Sequence, residues 1–292
     1  MQKIKEKSIE AFLILCASIT VFTTLGIIVI LSIETFQFFR EVSVFEFFTG
    51  TEWTPLFAIK KYGILPLVAG TLLTTLIAIA VALPLGLTIA VYLNEYADQR
   101  LKAVIKPLLE ILAAIPTVVY GFFALTFVTP VLQKIIPSLS GFNALSAGLV
   151  MGVMIIPYVS SLSEDALSAV PKSLREAAYG MGSTRLQTAF KVMLPAASSG
   201  VIVSVILAIS RAIGETMIVA VAAGQEPKFT FNPLQSIETI TTYIVQVSMG
   251  DVPQNSLEFR SIFAAGITLF GLTFILNNIS YWMKQKYQQK YE

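Results

Sequence analysis

Long apolar runs, separated by short polar or basic connections, dominate the chain. With roughly 20 predominantly apolar residues per membrane crossing, six helices are predicted near residues 11–33, 63–93, 111–133, 144–163, 195–223 and 261–283. The second and fifth runs exceed the usual length, so they are expected to tilt, kink or project beyond the lipid, with Pro66 and Pro84 as bending points in the second. Ala11–Ile33 is uncharged over 23 residues, long for the apolar part of a signal peptide, and no small-residue cleavage site follows it. It reads as a retained anchor helix, with Cys16 a membrane-buried thiol. The fold class is therefore an all-α integral membrane protein, with residues 1–292 forming one membrane domain and no appended soluble domain expected.

The polar connections set an orientation, because basic residues are retained on the cytoplasmic side. With the N-terminus inside, the inner segments hold Lys3, Lys5 and Lys7; Arg100, Lys102 and Lys106; Lys172, Arg175, Arg185 and Lys191; and Lys284, Lys286 and Lys290. Those 13 stand against six outside (Arg40, Lys60, Lys61, Lys134, Lys228 and Arg260), so both termini are assigned to the cytoplasm. Tyr281 and Trp282 beside Lys284 and Lys286 read as interface anchors. The outer connection 34–62 alternates Phe36, Phe38, Phe39, Phe45, Phe47 and Phe48 with Arg40, Glu41 and Glu46. A helix in the headgroup region and packing against neighbouring spans both produce that pattern. In the outer connection 224–260, Ile237, Ile240, Ile244 and Val247 recur between breakers Pro233 and Gly250–Pro253, which predicts a short interfacial or re-entrant helix, a lid or a receptor contact.

Composition narrows the classes. The chain is 55% hydrophobic and only 13% charged, against roughly 25% charged in a soluble domain. A net charge of +2 with no dense basic run excludes holding a nucleic acid by a general field. With no His and one Cys, His/Cys metal sites and chain disulfides are excluded, and no metal or cofactor is expected. The same lack, together with no intramembrane Asp pair, leaves no catalytic constellation, so a membrane enzyme is not expected.

The longest inner connection, VPKSLREAAYGMGSTRLQTAFKVMLP at 170–195, reads as two short helices. Pro171 suits a first turn, Gly182 can end the first helix in the left-handed conformation, and Ser183 or Thr184 can cap the second. Leu186, Phe190 and Met193 are expected on one apolar face before Pro195 opens the fifth span. Such a pair is either a lever for a cytoplasmic partner or an ordinary amphipathic connector. Glu176-Ala177-Ala178, then three residues, Gly182, nine residues, Val192, one residue and Leu194-Pro195 resembles the EAA loop of ABC importer membrane subunits, with Val192 where Ile is usual. The resemblance implies a type I importer permease architecture, with Glu176, Ala177, Ala178, Gly182, Leu194 and Pro195 coupling to an ATPase. The chain itself has no glycine-rich loop ending in Gly-Lys-Ser/Thr, so the nucleotide must sit on a separate subunit.

Charge inside the fifth run supplies the remaining candidates. Arg211 and Glu215 would each cost about 2.5–3.5 kcal/mol at the membrane centre. Four residues apart, they lie about 6 Å along one helical face and can pair. Ser204, Ala208, Arg211, Glu215 and Ala222 form a small-or-polar stripe expected to face a pathway or a partner helix, which makes Arg211, Glu215 and Ser204 the substrate-pathway candidates. Arg211 either lowers the barrier for an anion, since its fork matches oxyanions, or forms a structural ion pair with Glu215. Pro116 and Pro157 interrupt the third and fourth runs as hinges or pore-lining breaks, and Gly148 with Gly152 has close-packing spacing.

That stretch, with GTEWTPLF (50–57), YGILPLVAGTLLTTLIA (62–78), LPLGLTIAVYLNEYA (83–97), LEILAAIPTVVYGFF (109–123) and IVQVSMGD (244–251), resembles the PstC-type permease of phosphate-specific ABC importers. The sister PstA type and permeases for other oxyanions remain alternatives. A channel or ion-coupled transporter fits the composition, but those classes should carry carboxylates in several spans, and Glu215 is the only acidic residue deep in one. The resemblance implies a prokaryotic inner membrane, a heterodimer with a second permease, an ATPase dimer and an extracytoplasmic phosphate-binding protein.

Overall fold

The computed structural model describes residues 2–287, and Lys290 of the inner basic set lies outside them. Among the described residues the regular elements are helical, joined by one isolated bridge between Trp53 and Tyr62. In chain order they are α1 (Gln2–Glu41), α2 (Val44–Thr49), α3 (Leu65–Glu95), α4 (Gln99–Ala114), α5 (Thr117–Phe123), a π turn (Ala124–Val128), α6 (Thr129–Ile135), α7 (Ala144–Ser168), α8 (Lys172–Gly180), α9 (Arg185–Thr188), a second π turn (Ala189–Met193), α10 (Leu194–Ala196), α11 (Ser198–Ile213), α12 (Met217–Ala222), α13 (Ile240–Met249) and α14 (Leu257–Tyr287).

Five helical stretches are long and apolar enough to cross a membrane, or six when the bent pair Arg185–Ala196 and Ser198–Ile213 counts as one. Two predicted spans are redrawn. The third starts at Thr117 rather than near 111, because Pro116 drives Ile115 into an extended conformation (φ −62°, ψ 129°) and ends α4 at Ala114. The freed α4 is amphipathic, capped by the Asp98 carboxylate accepting from Leu101 N at 2.8 Å, and pinned to α7 by Lys106 on Glu164 at 2.7 Å. The fifth run is not one helix over 195–223. The chain turns by 77° between α10 and α11, so Pro195 belongs to the connector, and a second break at 214–216 separates α11 from α12. At 1.5 Å per residue, α11 alone covers about 24 Å, short of a hydrocarbon core of about 30 Å. A full crossing therefore needs the break and α12. The other prolines bend less than expected: Pro66 sits in the first turn of α3, while Pro84 and Pro157 lie within the unbroken α3 and α7.

At the centre, α3 and α7 approach backbone to side chain. A Cβ on Gly148 would fall 2.7 Å from Ile77 Cβ, and one on Gly152 would fall 2.8 Å from the Ala78 carbonyl oxygen. Only glycine permits this contact, as the spacing of the two suggested. Around it, Ala78, Met151, Ile155, Ala208, Ile218 and Ala222 form the main buried cluster. The connections 34–62 and 224–260 close over a second cluster, in which Phe38, Phe47, Trp53, Tyr62 and Tyr243 pack edge to face with centroids 4.9–6.2 Å apart in the Phe38–Phe47, Phe38–Tyr62, Trp53–Tyr62 and Trp53–Tyr243 pairs. Residues 34–62 thus pack against the protein through Phe38 and Phe47, while Phe36, Phe45 and Phe48 stay exposed. The predicted short helix in 224–260 is α13, with Ile237, Ile240 and Val247 buried and Ile240 N donating to Thr71 Oγ1 of α3.

Candidate functional site

Arg211 lies in the last turn of α11 and Glu215 just beyond it, in the break. Arg211 Nη1 donates to Glu215 Oε2 at 2.7 Å, and Nη2 lies 3.8 Å from Met154 Sδ. The carboxylate also works on the far side of the break, where its other oxygen, Oε1, accepts from Met217 N at 3.2 Å and Ile218 N at 3.3 Å and so caps α12. The Glu215 carbonyl accepts from Thr241 Oγ1 at 2.8 Å, tying the break to α13. Glu215 is thus buried and held from several sides, with a side chain 3% exposed, whereas the Arg211 side chain is 33% exposed. The i to i+4 spacing brought the pair together as expected. The joint that Glu215 builds was hidden, because local spacing does not reveal that the helix stops at Ile213.

The rest of the stripe faces the protein. Ser204, Ala208 and Ala222 are fully buried, and Ser204 Oγ lies 2.8 Å from Ser163 Oγ of α7. In this conformation Ser204 is a contact between α11 and α7.

In the 170–195 connection, α8 ends as the sequence suggested. Gly182 takes a left-handed φ of +82°, and the Thr184 side chain and Gln187 form a reciprocal capping box at the start of α9. Glu176 and Ala177 are exposed on α8, Ala178 is half-buried, Leu194 is partly buried and Pro195 is exposed. One expectation fails here. Leu186 and Phe190 do not share the buried face of Met193, since the π turn from Ala189 inserts a residue and rotates the register. Thr188, Ala189 and Met193 are buried, while Met181, Leu186 and Phe190 project as an exposed apolar set.

Besides Glu164, already paired with Lys106, two further buried carboxylates escaped the sequence. Glu95, at the end of α3, meets Arg175 Nε at 3.0 Å and accepts from Tyr179 OH at 2.9 Å, so it anchors α8. No local pattern announces partners this far along the chain. Glu238, in the outer connection, is 2% exposed, its Oε1 has no hydrogen-bond partner, and it lines a cavity of about 150 Å³ with Trp53, Gln225, Tyr243 and Gln246. Burial pushes its carboxyl up to about 8.

With this geometry in place, likeness to known proteins becomes informative. The family described as "Binding-protein-dependent transport system inner membrane component" matches residues 82–289. A probable ABC transporter permease protein, YqgH, from Bacillus subtilis is 35% identical over 262 residues, covering 89% of this chain and 84% of that protein. The phosphate transport system permease protein PstC of Mesorhizobium japonicum is 32% identical over 261 residues, covering 82% and 78% respectively. Among solved structures, the chain is similar to a chain of the MetNI methionine ABC transporter in an inward-facing conformation (TM-score 0.57, 18% identity, 78% of this chain and 95% of that one). It is likewise similar to a chain of a bacterial alginate ABC transporter solved with its periplasmic protein (TM-score 0.63, 15% identity, 94% and 96%). At those identities the two structures speak for the fold, which is that of type I ABC importer permeases.

Proposed function

The chain belongs to the binding-protein-dependent transport system inner membrane component family, and we propose that, as a multi-pass permease subunit of an ABC importer, it forms half of a translocation pathway for inorganic phosphate. The observation that carries the anion reading is the asymmetry of the central pair. Glu215 is buried and its oxygens are occupied by Arg211 and two backbone N–H groups, whereas the Arg211 guanidinium is partly exposed within the apolar body. A guanidinium has five donors in a planar fork. Among the described residues, the structure gives this one two contacts, the carboxylate and the Met154 thioether, so part of the fork can meet a tetrahedral oxyanion. Several relatives near one-third identity are named phosphate permeases, which supports phosphate over other oxyanions.

The remaining assignments follow from this reading. ATP is hydrolysed on a separate ATPase dimer, against which residues 170–195 present Glu176, Ala177, Ala178, Gly182 and the projecting Met181, Leu186 and Phe190. Leu194 and Pro195 carry that contact toward the bend before α11. A second permease completes the pathway, and an extracytoplasmic binding protein delivers phosphate. The chain itself is non-catalytic. In a prokaryotic inner membrane both termini lie in the cytoplasm, so in a Cys16→Ser background Thr51→Cys should react with an impermeant thiol reagent from outside and Gln187→Cys should not. The reverse pattern would refute this orientation.

The decisive experiment reconstitutes the complex in vesicles. Binding-protein-dependent ATP hydrolysis should be stimulated by phosphate over sulfate or molybdate. Arg211→Gln should abolish uptake even when combined with Glu215→Gln, since the double variant restores charge balance but no anion-attracting fork. Near-normal uptake by the double variant, normalised to inserted protein, would leave the pair as a structural joint only.

A further inference from the structure

Helix α8 has no fully buried residue, and among the described residues its apolar hold on the body is Leu174, half-buried against the cluster around Leu167, Ala189 and Met193. It also lies between two points where the backbone turns sharply, Pro171 (φ −54°, ψ 132°) and Gly182 (φ +82°). A force applied to such a helix by a partner would rotate it about those ends unless something ties its length to the body. Beyond Leu174, the ties along its length are polar. The Glu95 side chain, 2% exposed, meets Arg175 Nε at 3.0 Å and accepts from Tyr179 OH at 2.9 Å, one turn apart on the inner face of α8. Arg175 Nη2 also donates to Asn94 Oδ1, and Asn94 Nδ2 donates to Ser168 Oγ at 3.0 Å. Glu95 is the last residue of α3, and Ser168 the last of α7. The cluster therefore fastens α8 to the ends of the two helices whose glycine contact leaves no slack between them.

From these ends α7 runs unbroken past the central pair. Helix α7 is 25 residues long, about 38 Å at 1.5 Å per residue. It contacts α11 through Ser163 and Ser204 at 2.8 Å and reaches Arg211 through Met154. We propose that Glu95, Arg175 and Tyr179 are positioning residues that turn displacement of α8 into rigid movement of α3 and α7, and so carry the ATPase stroke to the Arg211 site. The covalent route through α9 and α10 enters α11 at a 77° bend, a geometry poorly suited to transmit a push along the helix axis. The inference rests on the importer reading above and adds to it the specific joint.

The test uses the reconstituted complex of this chain with its ATPase, second permease and binding protein, scored as phosphate imported per ATP hydrolysed. Glu95→Gln keeps the shape of the side chain but removes the charge, and should lower the ratio about tenfold, with the ATPase still co-purifying. Tyr179→Phe, which deletes one hydroxyl from a partly exposed ring, guards against misfolding of the first variant and should lower the ratio by a smaller factor. Arg175→Lys should restore part of the ratio lost in Arg175→Gln. A ratio equal to that of the wild type in both Glu95→Gln and Tyr179→Phe would overturn the joint alone, even if less complex assembles. If the wild-type complex shows no phosphate-stimulated hydrolysis, the transport reading fails and the joint falls with it.

Discussion

Two ion pairs in this protein look alike and do different things. Arg211–Glu215 closes at 2.7 Å with side chains 33% and 3% exposed; Arg175–Glu95 stands at 3.0 Å with 28% and 2%. In each, a desolvated carboxylate faces a half-sheltered guanidinium. What separates them is the chain between the partners. The first pair spans four residues and bridges a break inside one membrane crossing, where Glu215 caps the next helix. The second joins elements far apart, as the 84-residue separation of Glu95 and Tyr179 shows. Burial and charge thus set how costly a pair is to break, while the elements it joins set what fails when it is broken.

The largest effect should come from Glu215→Leu. It leaves the Arg211 charge uncompensated and strands two N–H groups of α12, a combined loss of about 3–5 kcal/mol. Thermal unfolding in detergent should record it, with Arg211→Met beside Glu215→Leu recovering part. Equal losses in the single and double variants would break the view of the pair as one unit.

Glu238 sharpens the comparison, because it is as buried as Glu95 and Glu215 but, among the described residues, no cation pairs with it and its Oε1 lacks a hydrogen-bond partner. Its folded pKa is raised by desolvation from 4.5 to about 8. The folded state therefore holds the proton more tightly, so its stabilisation is fully present below the unfolded pKa and is lost as pH rises through the folded one. Thermal stability should fall between about pH 4.5 and 8 by up to about 5 kcal/mol, and Glu238→Gln should flatten that slope. An unchanged slope would assign the pH dependence elsewhere.

Gly182→Ala should be milder. No atom lies within 4 Å of the added Cβ, so the cost is the left-handed backbone alone, about 1–2 kcal/mol. It should lower transport per ATP by loosening the end of α8, while Gly182→Asn should be better tolerated. Wild-type coupling in Gly182→Ala would argue that the end of α8 need not be held. Smallest is Thr184→Ala, which removes the α9 cap for about 1 kcal/mol. Differential scanning of the purified complex should detect it with no change in phosphate selectivity.

Much of the architecture was legible because lipid partition and helix capping are summed over neighbours. The spans of α1, α3, α7 and α14, the turn at Gly182, the cap at Thr184 and the contact of Arg211 with Glu215 all rest on residues within a helical turn or within one run of about 20. Errors arose where a local signal competed with a more distant one. The apolar run 111–133 hid the effect of Pro116 on Ile115, and the apolar run 195–223 hid breaks whose carbonyl and N–H groups are satisfied by Thr241 and the Glu215 side chain. Leu186 and Phe190 were misplaced because a π turn has no sequence signature.

The amino-acid sequence by itself thus determined that this is a membrane protein, where α1, α3, α7 and α14 run, where the 170–195 connection turns and that Arg211 has a carboxylate in reach. These follow from transfer free energies and backbone preferences that each residue carries wherever the chain goes. Only the tertiary structure decided that Ser204 faces Ser163, that Phe38, Trp53 and Tyr243 share one buried cluster, and that Glu95 holds α8. Those outcomes depend on which distant groups come to share one desolvated space, where a buried polar atom must find its partner among whatever the fold has brought there.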